Sequence, residues 1–135
     1  MHIATYLNYN GNCRQAFEFY AEHLGGRITF LMTHGEHPGA PLPTPEWKDA
    51  VLNARLEIAD SVILGADIPH AEPMRSAYLT LYLDSVEQAE QIYALLTDGG
   101  QVFMKMEETF FAKRFAMLRD RFGTSWMLMY QPDTQ

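Results

Sequence analysis

EETFFAKRFAMLRDRFGTSWMLMY, residues Glu107 to Tyr130, is the stretch from which the rest of the chain can be read. It reads as a β-hairpin. Phe110, Phe111 and Phe115 lead into a polar turn, Asp120-Arg121-Phe122-Gly123, and an apolar run from Ser125 to Tyr130 leaves it. Gly123 suits the turn because it has no Cβ and tolerates positive φ. Pairing Arg114–Arg119 with Ser125–Tyr130 would aim the side chains of one face at a common space, because strand side chains alternate with a period of two. The remaining strands are expected to complete that space.

Upstream of the hairpin the chain says the same thing twice. Ile3 to Tyr9 reads as a strand, ended by Asn10-Gly11. Asn12, with Gln15 three residues on, predicts a capped helix to about Leu24, with Ala16, Phe19, Tyr20 and Leu24 as its apolar stripe. Gly25-Gly26 stops it. Arg27–Thr33 is a strand. His34–Trp47 holds Pro38, Pro41, Pro43 and Pro45 and predicts an irregular loop of the kind that often binds or covers a ligand. Asp49–Ala59 and Val62–Ala66 are two further strands around Asp60-Ser61, and Asp67–Ser76 is a linker. The pattern then restarts. Ala77–Leu83 is a strand, Ser85 and Gln88 cap a helix with the stripe Val86, Ala89, Tyr93 and Leu96, Gly99-Gly100 stops it, and Gln101–Met106 is a strand. Phe19-Tyr20 recurs as Ile92-Tyr93 73 residues later, and the double glycine recurs after 74. An internal repeat of this kind organises a whole fold. The expectation is an α+β protein of two βαβββ modules, residues 1–68 and 77–135, forming a curved mixed β-sheet with flanking helices. Each sheet would put one face on its helix and turn the other toward a shared cup.

Composition bounds the partners. The chain has 135 residues, a net charge of −7 and a pI near 5.1. That balance argues against a nucleic-acid or anionic-membrane partner, which calls for a basic patch. No apolar run approaches the roughly 20 residues that span a bilayer. Met1-His2-Ile3-Ala4 carries no export signal, and a single cysteine, Cys13, suits a reducing compartment, so a cytoplasmic protein is expected.

The repeat resembles the vicinal oxygen chelate superfamily, which includes glyoxalase I, bleomycin-resistance proteins and extradiol dioxygenases. Ala16-Phe17-Glu18-Phe19-Tyr20 followed by Leu24-Gly25-Gly26 is similar to that superfamily's first helix. Glu108-Thr109-Phe110-Phe111-Ala112, with Asp120-x-Phe122-Gly123-x-x-Trp126, resembles the PhnB-like subfamily, as does His34-Gly35-Glu36-His37-Pro38. Members of that subfamily are often labelled demethylubiquinone methyltransferases, yet no glycine-rich strand-to-helix loop here would hold a methyl donor. The resemblance implies a divalent metal held by His and Glu from four strands. Matched onto this chain, those places fall on Thr5, Leu64, Tyr78 and Met127, and none is a His, Asp or Glu. Their neighbours Ala4, Tyr6, Ile63, Gly65, Leu79, Trp126 and Leu128 are equally poor ligands for the hard or borderline ions involved. No metal or other cofactor is therefore expected. A non-standard site at His34, Glu36 and His37 is the competing idea, and a solvated loop the plainer one.

The expected ligand-binding residues are Thr5, Leu7, Arg55, Leu64, Tyr78, Tyr82, Phe111, Trp126 and Met127. Thr80 and Met129 belong to the same surface. It is apolar, with a few hydroxyls and sulfurs, and suits a flat or hydrophobic small molecule. The same residues would also serve simply to fill a core, and Trp126 would pack between sheet and helix. Arg55 would anchor an anionic ligand if its face is the cup. Glu108 is the candidate acid or base, because a carboxylate buried in an apolar cup has its pKa raised; its structural alternative is a pairing with Arg114 or Arg119. The functional reading is a metal-independent small-molecule-binding protein, expected to form a homodimer. The alternative is a lyase or isomerase acting through Glu108 or the His34–His37 loop.

Overall fold

The first repeat folds as β1 (Thr5–Tyr9), α1 (Cys13–His23), β2 (Gly26–Thr33), β3 (Val51–Ile58) and β4 (Ser61–Asp67). The second folds as β5 (Leu79–Tyr82), α2 (Val86–Thr97), β6 (Gln101–Glu107), β7 (Arg114–Arg119) and β8 (Ser125–Tyr130). These are seen in a computed structural model that describes residues 1–37, 39, 42 and 44–132. The chain divides into two units, Met1–Glu72 and Pro73–Gln135. Each carries its own four-stranded mixed sheet, ordered β1-β4-β3-β2 and β5-β8-β7-β6. In both, the first and last strands of the unit pair in parallel and the remaining pairs are antiparallel. Among the described residues no helix is long and apolar enough to cross a membrane.

The hairpin forms where the sequence placed it, with β7 and β8 paired from Arg114↔Tyr130 to Arg119↔Ser125. Asp120 sets its turn. Oδ1 accepts the backbone N–H of Phe122 at 2.9 Å and of Thr124 at 3.0 Å, and Oδ2 accepts the Trp126 indole N–H at 2.8 Å. Gly123 takes φ of +103°, the left-handed region expected of it.

The two helices begin differently. Ser85 Oγ accepts the Gln88 N–H at 3.0 Å, as the sequence predicts, while Gln88 Oε1 accepts the N–H of Asp84 at 2.7 Å. Asn12 makes no such side-chain bond. Its role passes to Asp67 at the end of β4. Asp67 Oδ1 accepts the N–H groups of Gly11 at 3.0 Å and Cys13 at 2.9 Å, and Oδ2 accepts that of Val51 at 2.8 Å. One carboxylate thus joins the start of α1, the start of β3 and the end of β4.

Packing tells the two faces of each sheet apart. Gly65 lies under α1, where an added Cβ would stand 2.6 Å from Phe17 Cζ and 3.2 Å from Cys13 Sγ. Only a residue without a side chain allows that approach. Gly65 pairs with Leu7 and with Ala54, so these share the helix side. In the second unit Arg114 reaches Glu90 of α2 at 3.0 Å. Ala116 and Leu118 follow it at alternate positions, pair with Leu128 and Trp126, and are buried with them. The opposite face of each sheet is called the open face below.

The described parts of the long loop are more regular than its proline content predicts. It carries two 3₁₀ turns, His34–Glu36 and Pro45–Asp49. Pro45 opens the second turn, where a missing N–H costs nothing. Glu36 Oε1 accepts both the N–H and the hydroxyl of Thr33, each at 2.9 Å, which closes the first. Pro38, Pro41 and Pro43 lie outside the described residues.

Candidate functional site

The open face of the second sheet is crossed by two rows of paired side chains. One runs Thr80–Met127–Met117–Met104 and the other Tyr82–Met129–Phe115–Glu107. Directly paired side chains sit close enough to act as one surface. Phe111, from the loop after β6, adds its ring to Phe115 at 5.0 Å, edge to face, and Phe110 packs against Phe111 at 5.1 Å. At the other end Tyr78 meets Phe103 at 6.4 Å, and the Arg119 guanidinium lies 5.3 Å from the Phe103 ring centre. Much of this surface meets solvent: Tyr82 is 65% exposed, Met104 44%, Phe103 42% and Phe111 41%. The sequence reading included Tyr78, Tyr82, Phe111 and Met127, which all lie here. It missed Met117, Phe115 and Met104. The hairpin register could have found Met117, because a turn at Asp120–Gly123 places it opposite Met127.

The first sheet has the corresponding row Tyr6–Leu64–Arg55–Phe30. Leu64 and Arg55 are therefore neighbours, as a shared face requires. Thr5 and Leu7 are not with them. They pair with Ile63 and Gly65, on the helix side, and Tyr6 is the residue that meets Leu64. The parallel register of β1 on β4 corrects that grouping. Arg55 stands 3.4 Å from Glu57, which also lies 3.6 Å from Arg27. Trp126 faces α2 at 1% exposure, with its N–H held by Asp120, so it is placed in the core.

Glu108 is exposed and sits beyond the end of β6, in a loop closed by Thr109 N–H to Ala112 O at 2.9 Å. It lines a cleft of about 230 Å³ with Thr109, Phe110, Phe111, Lys113 and Gln131. The apolar burial expected around its carboxylate is not provided there. Arg114, considered as its partner, pairs with Glu90 instead.

A second cleft, of about 490 Å³, lies in the first unit between the start of α1 and the second 3₁₀ turn. Arg14, Gln15, Glu46, Trp47 and Asp49 line it, with Asp67 at its base. His34 lies nearby, edge-on to Trp47 at 6.0 Å. It is buried, and its Nε2–H donates to the Asp67 carbonyl at 3.3 Å. Among the described residues its Nδ1 is the one buried side-chain nitrogen or oxygen with no hydrogen-bond partner. Cys13, under the same helix start, is a buried free thiol. Burial, and then the charge of Asp67, push its pKa up to about 12, against a smaller opposing effect of Arg14.

Proteins of the resembling superfamily that use a metal take its ligands from equivalent strand positions. The places the resemblance assigns, Thr5, Leu64, Tyr78 and Met127, hold no carboxylate or imidazole, and neither do Tyr6 and Thr80, which pair with Leu64 and Met127, so the donor set does not fit a divalent ion needing them. Glu36 is committed to Thr33, while His34 gives its Nε2–H to the Asp67 carbonyl and keeps Nδ1 without a partner. Among the described residues no three His, Cys, Asp or Glu side chains gather as metal ligands.

The sequence matches, over residues 1–129, the family described as 3-demethylubiquinone-9 3-methyltransferase. The chain belongs to that family. Protein YjdN of Escherichia coli K12 is 32% identical, across 95% of this chain and 94% of its own length. The crystal structure of protein PA1353 from Pseudomonas aeruginosa is 36% identical, with a TM-score of 0.84 over 97% of this chain and 98% of the other. The PhnB protein from Bacillus cereus is 20% identical, with a TM-score of 0.81 over 96% and 99%. A glyoxalase/bleomycin resistance protein/dioxygenase from Nocardioides, 17% identical with a TM-score of 0.58 over 100% and 87%, shares the fold. The PhnB-like resemblance and the α+β fold of two βαβββ repeats both stand.

Proposed function

We propose that this PhnB-like protein binds an apolar small molecule on the open face of its second sheet, without the superfamily's usual metal. The observation that carries the reading is the sulfur-and-aromatic surface on which Met104, Tyr82 and Phe111 are exposed, Met117 and Met127 are half-buried, and Phe115 is buried beneath. Exposed apolar surface of this kind marks a place where something docks. Thioethers and ring edges adapt to flat apolar shapes. Leu64 and Arg55, with Tyr6, offer a smaller surface of the same kind on the first sheet. The family description speaks of methyl transfer. The glycine-bearing strand-to-helix junction, Asn10-Gly11-Asn12, is where an anionic cofactor would take backbone N–H groups. The N–H groups of Gly11 and Cys13 are already given to Asp67, which favours the binding reading over that activity.

A homodimer accompanies this reading. β6 is an edge strand with Val102, Phe103 and Met104 between 42% and 47% exposed, and such an edge invites a second copy. Light scattering should return a mass twice the 15.5 kDa of one chain. The binding test uses Nile red, a neutral apolar dye. Its fluorescence should rise on the native protein, and Met127→Glu, which puts a charge in the middle of the row, should remove the rise. A dye that does not respond, or that responds equally to Met127→Glu with the fold intact by circular dichroism, would sink the proposal.

A further inference from the structure

Arg119 stands at one end of the Met and aromatic rows and is charged under all conditions of interest. Its Nε and Nη2 donate to the Met74 carbonyl at 3.1 and 2.8 Å, and Nη1 donates to Gln101 Oε1 at 3.4 Å. All three bonds go to neutral oxygens. Among the described residues no carboxylate lies within ion-pairing distance of it. The contrast with its neighbours is informative. Arg114, two turns of the pleat away on the other face, has Glu90, and Arg55 in the first unit has Glu57. Arg119 is half-buried, so its charge is partly removed from water without an anion to balance it. One side of the guanidinium lies against Phe103, which holds its orientation. Two of its five N–H groups are left for another acceptor.

Its place relative to the rows gives a length. Arg119, Met117 and Phe115 occupy alternate positions of β7 and so share the open face. Four residues of antiparallel strand span roughly 14 Å, at about 3.4 Å per residue. A molecule that starts against Phe111, the exposed ring packed on Phe115, and crosses the Met127–Met117 pair therefore brings its far end to Arg119.

Resting on the binding reading above, we infer that the ligand is a flat apolar acid, two rings or so long, whose anionic group is taken by Arg119. The rings lie along the methionine row and the carboxylate accepts the two remaining guanidinium N–H groups. Arg–carboxylate pairing of this kind is both charge-assisted and directional.

The test compares biphenyl-4-carboxylate with biphenyl-4-carboxamide, which has the same shape and no charge, as displacers of Nile red. The acid should bind about tenfold more tightly, the ratio expected of one charge-assisted contact. Benzoate, too short to reach Phe115 from Arg119, should displace the dye weakly. In Arg119→Gln the acid should fall to within about twofold of the amide while the amide keeps its affinity; a tenfold ratio is one such contact and should vanish with it. Ser125 Oγ holds the Met74 carbonyl at 2.9 Å independently, so the segment stays anchored in that variant. Arg119→Lys, which retains the charge, should keep a reduced preference for the acid. Equal displacement by acid and amide on the native protein would overturn the assignment of Arg119 and leave the apolar site standing. A preference for the acid that persists in Arg119→Gln would overturn it as well. Displacement by neither compound would overturn both.

Discussion

Asp67→Ala should cost the first unit more stability than any other single truncation of a polar side chain in it. The carboxylate is 1% exposed and accepts three backbone N–H groups, from Gly11, Cys13 and Val51, at 2.8 to 3.0 Å. Removing it leaves those donors without an acceptor in a region that water reaches poorly. Each stranded donor costs about 1–3 kcal/mol, so the sum is about 3–6 kcal/mol once some relaxation is allowed. That is a large part of the ~5–15 kcal/mol that holds a domain together. Asp67→Asn should cost less, about half as much by the same reckoning. One amide oxygen can still serve Gly11 and Cys13, but the amide –NH₂ then faces the Val51 N–H, donor against donor. The assay is urea unfolding followed through Trp47, which lies in the first unit; Trp126, in the second, is replaced by Phe in every protein compared so that Trp47 alone reports. The order native, Asn, Ala is expected. An Asn variant within about 0.5 kcal/mol of native, the range of an ordinary surface change, would refute the claim that this carboxylate organises the unit.

Trp126→Phe should itself destabilise the second unit by about 2–4 kcal/mol, from lost packing and the lost indole N–H bond to Asp120. Because Trp126 faces α2, its replacement should leave Nile red binding unchanged; altered binding would mean the indole reaches the ligand after all. Cys13 should resist iodoacetamide at pH 8 in the native protein and react once urea unfolds it. Its raised pKa means that folding keeps the thiol protonated. The stabilisation is full below the pKa of the unfolded thiol and is lost as pH rises toward about 12, so Cys13→Ser should blunt alkaline unfolding. Glu36 behaves in the opposite sense. Its bonds from the Thr33 N–H and hydroxyl hold its pKa below the ordinary carboxylate range. The turn it closes should therefore be intact above that range and open as pH falls through the lowered value. The Thr33 amide resonance reports this, and Glu36→Gln should abolish the transition; a titration at the ordinary carboxylate value would show that the bond is not formed.

Local signals in the sequence carried far. The bounds of β7 and β8 agree with the residues read from the Asp120–Gly123 turn, and Ser85 with Gln88 begins α2 as its spacing suggests. What escaped was whatever depended on distant partners. Nothing within α1 reveals that its cap is Asp67, 54 residues from Cys13. Asn12 looked sufficient because capping chemistry is judged from neighbours. The face of β1 escaped for a related reason. Thr5-Tyr6-Leu7-Asn8-Tyr9 has large side chains on both sides, so its alternation does not choose a face. The choice comes from pairing with β4, where Gly65 is forced under Phe17. Glu108 was judged from its apolar neighbours in sequence, yet Phe110 is fully exposed and Phe111 turns toward Phe115, so no apolar cup closes over the carboxylate.

The Met104–Met117–Met127 row also makes the open face chemically perishable. A thioether gains oxygen from peroxide and becomes a sulfoxide, which is polar and bulkier. Met104, at 44% exposure, stands first in line. Each sulfoxide replaces a soft, adaptable contact with a strong dipole in the middle of a surface that otherwise offers carbon and sulfur. Oxidant stress would therefore weaken the proposed binding of an apolar guest at this face. Enzymatic reduction of the sulfoxides would restore it.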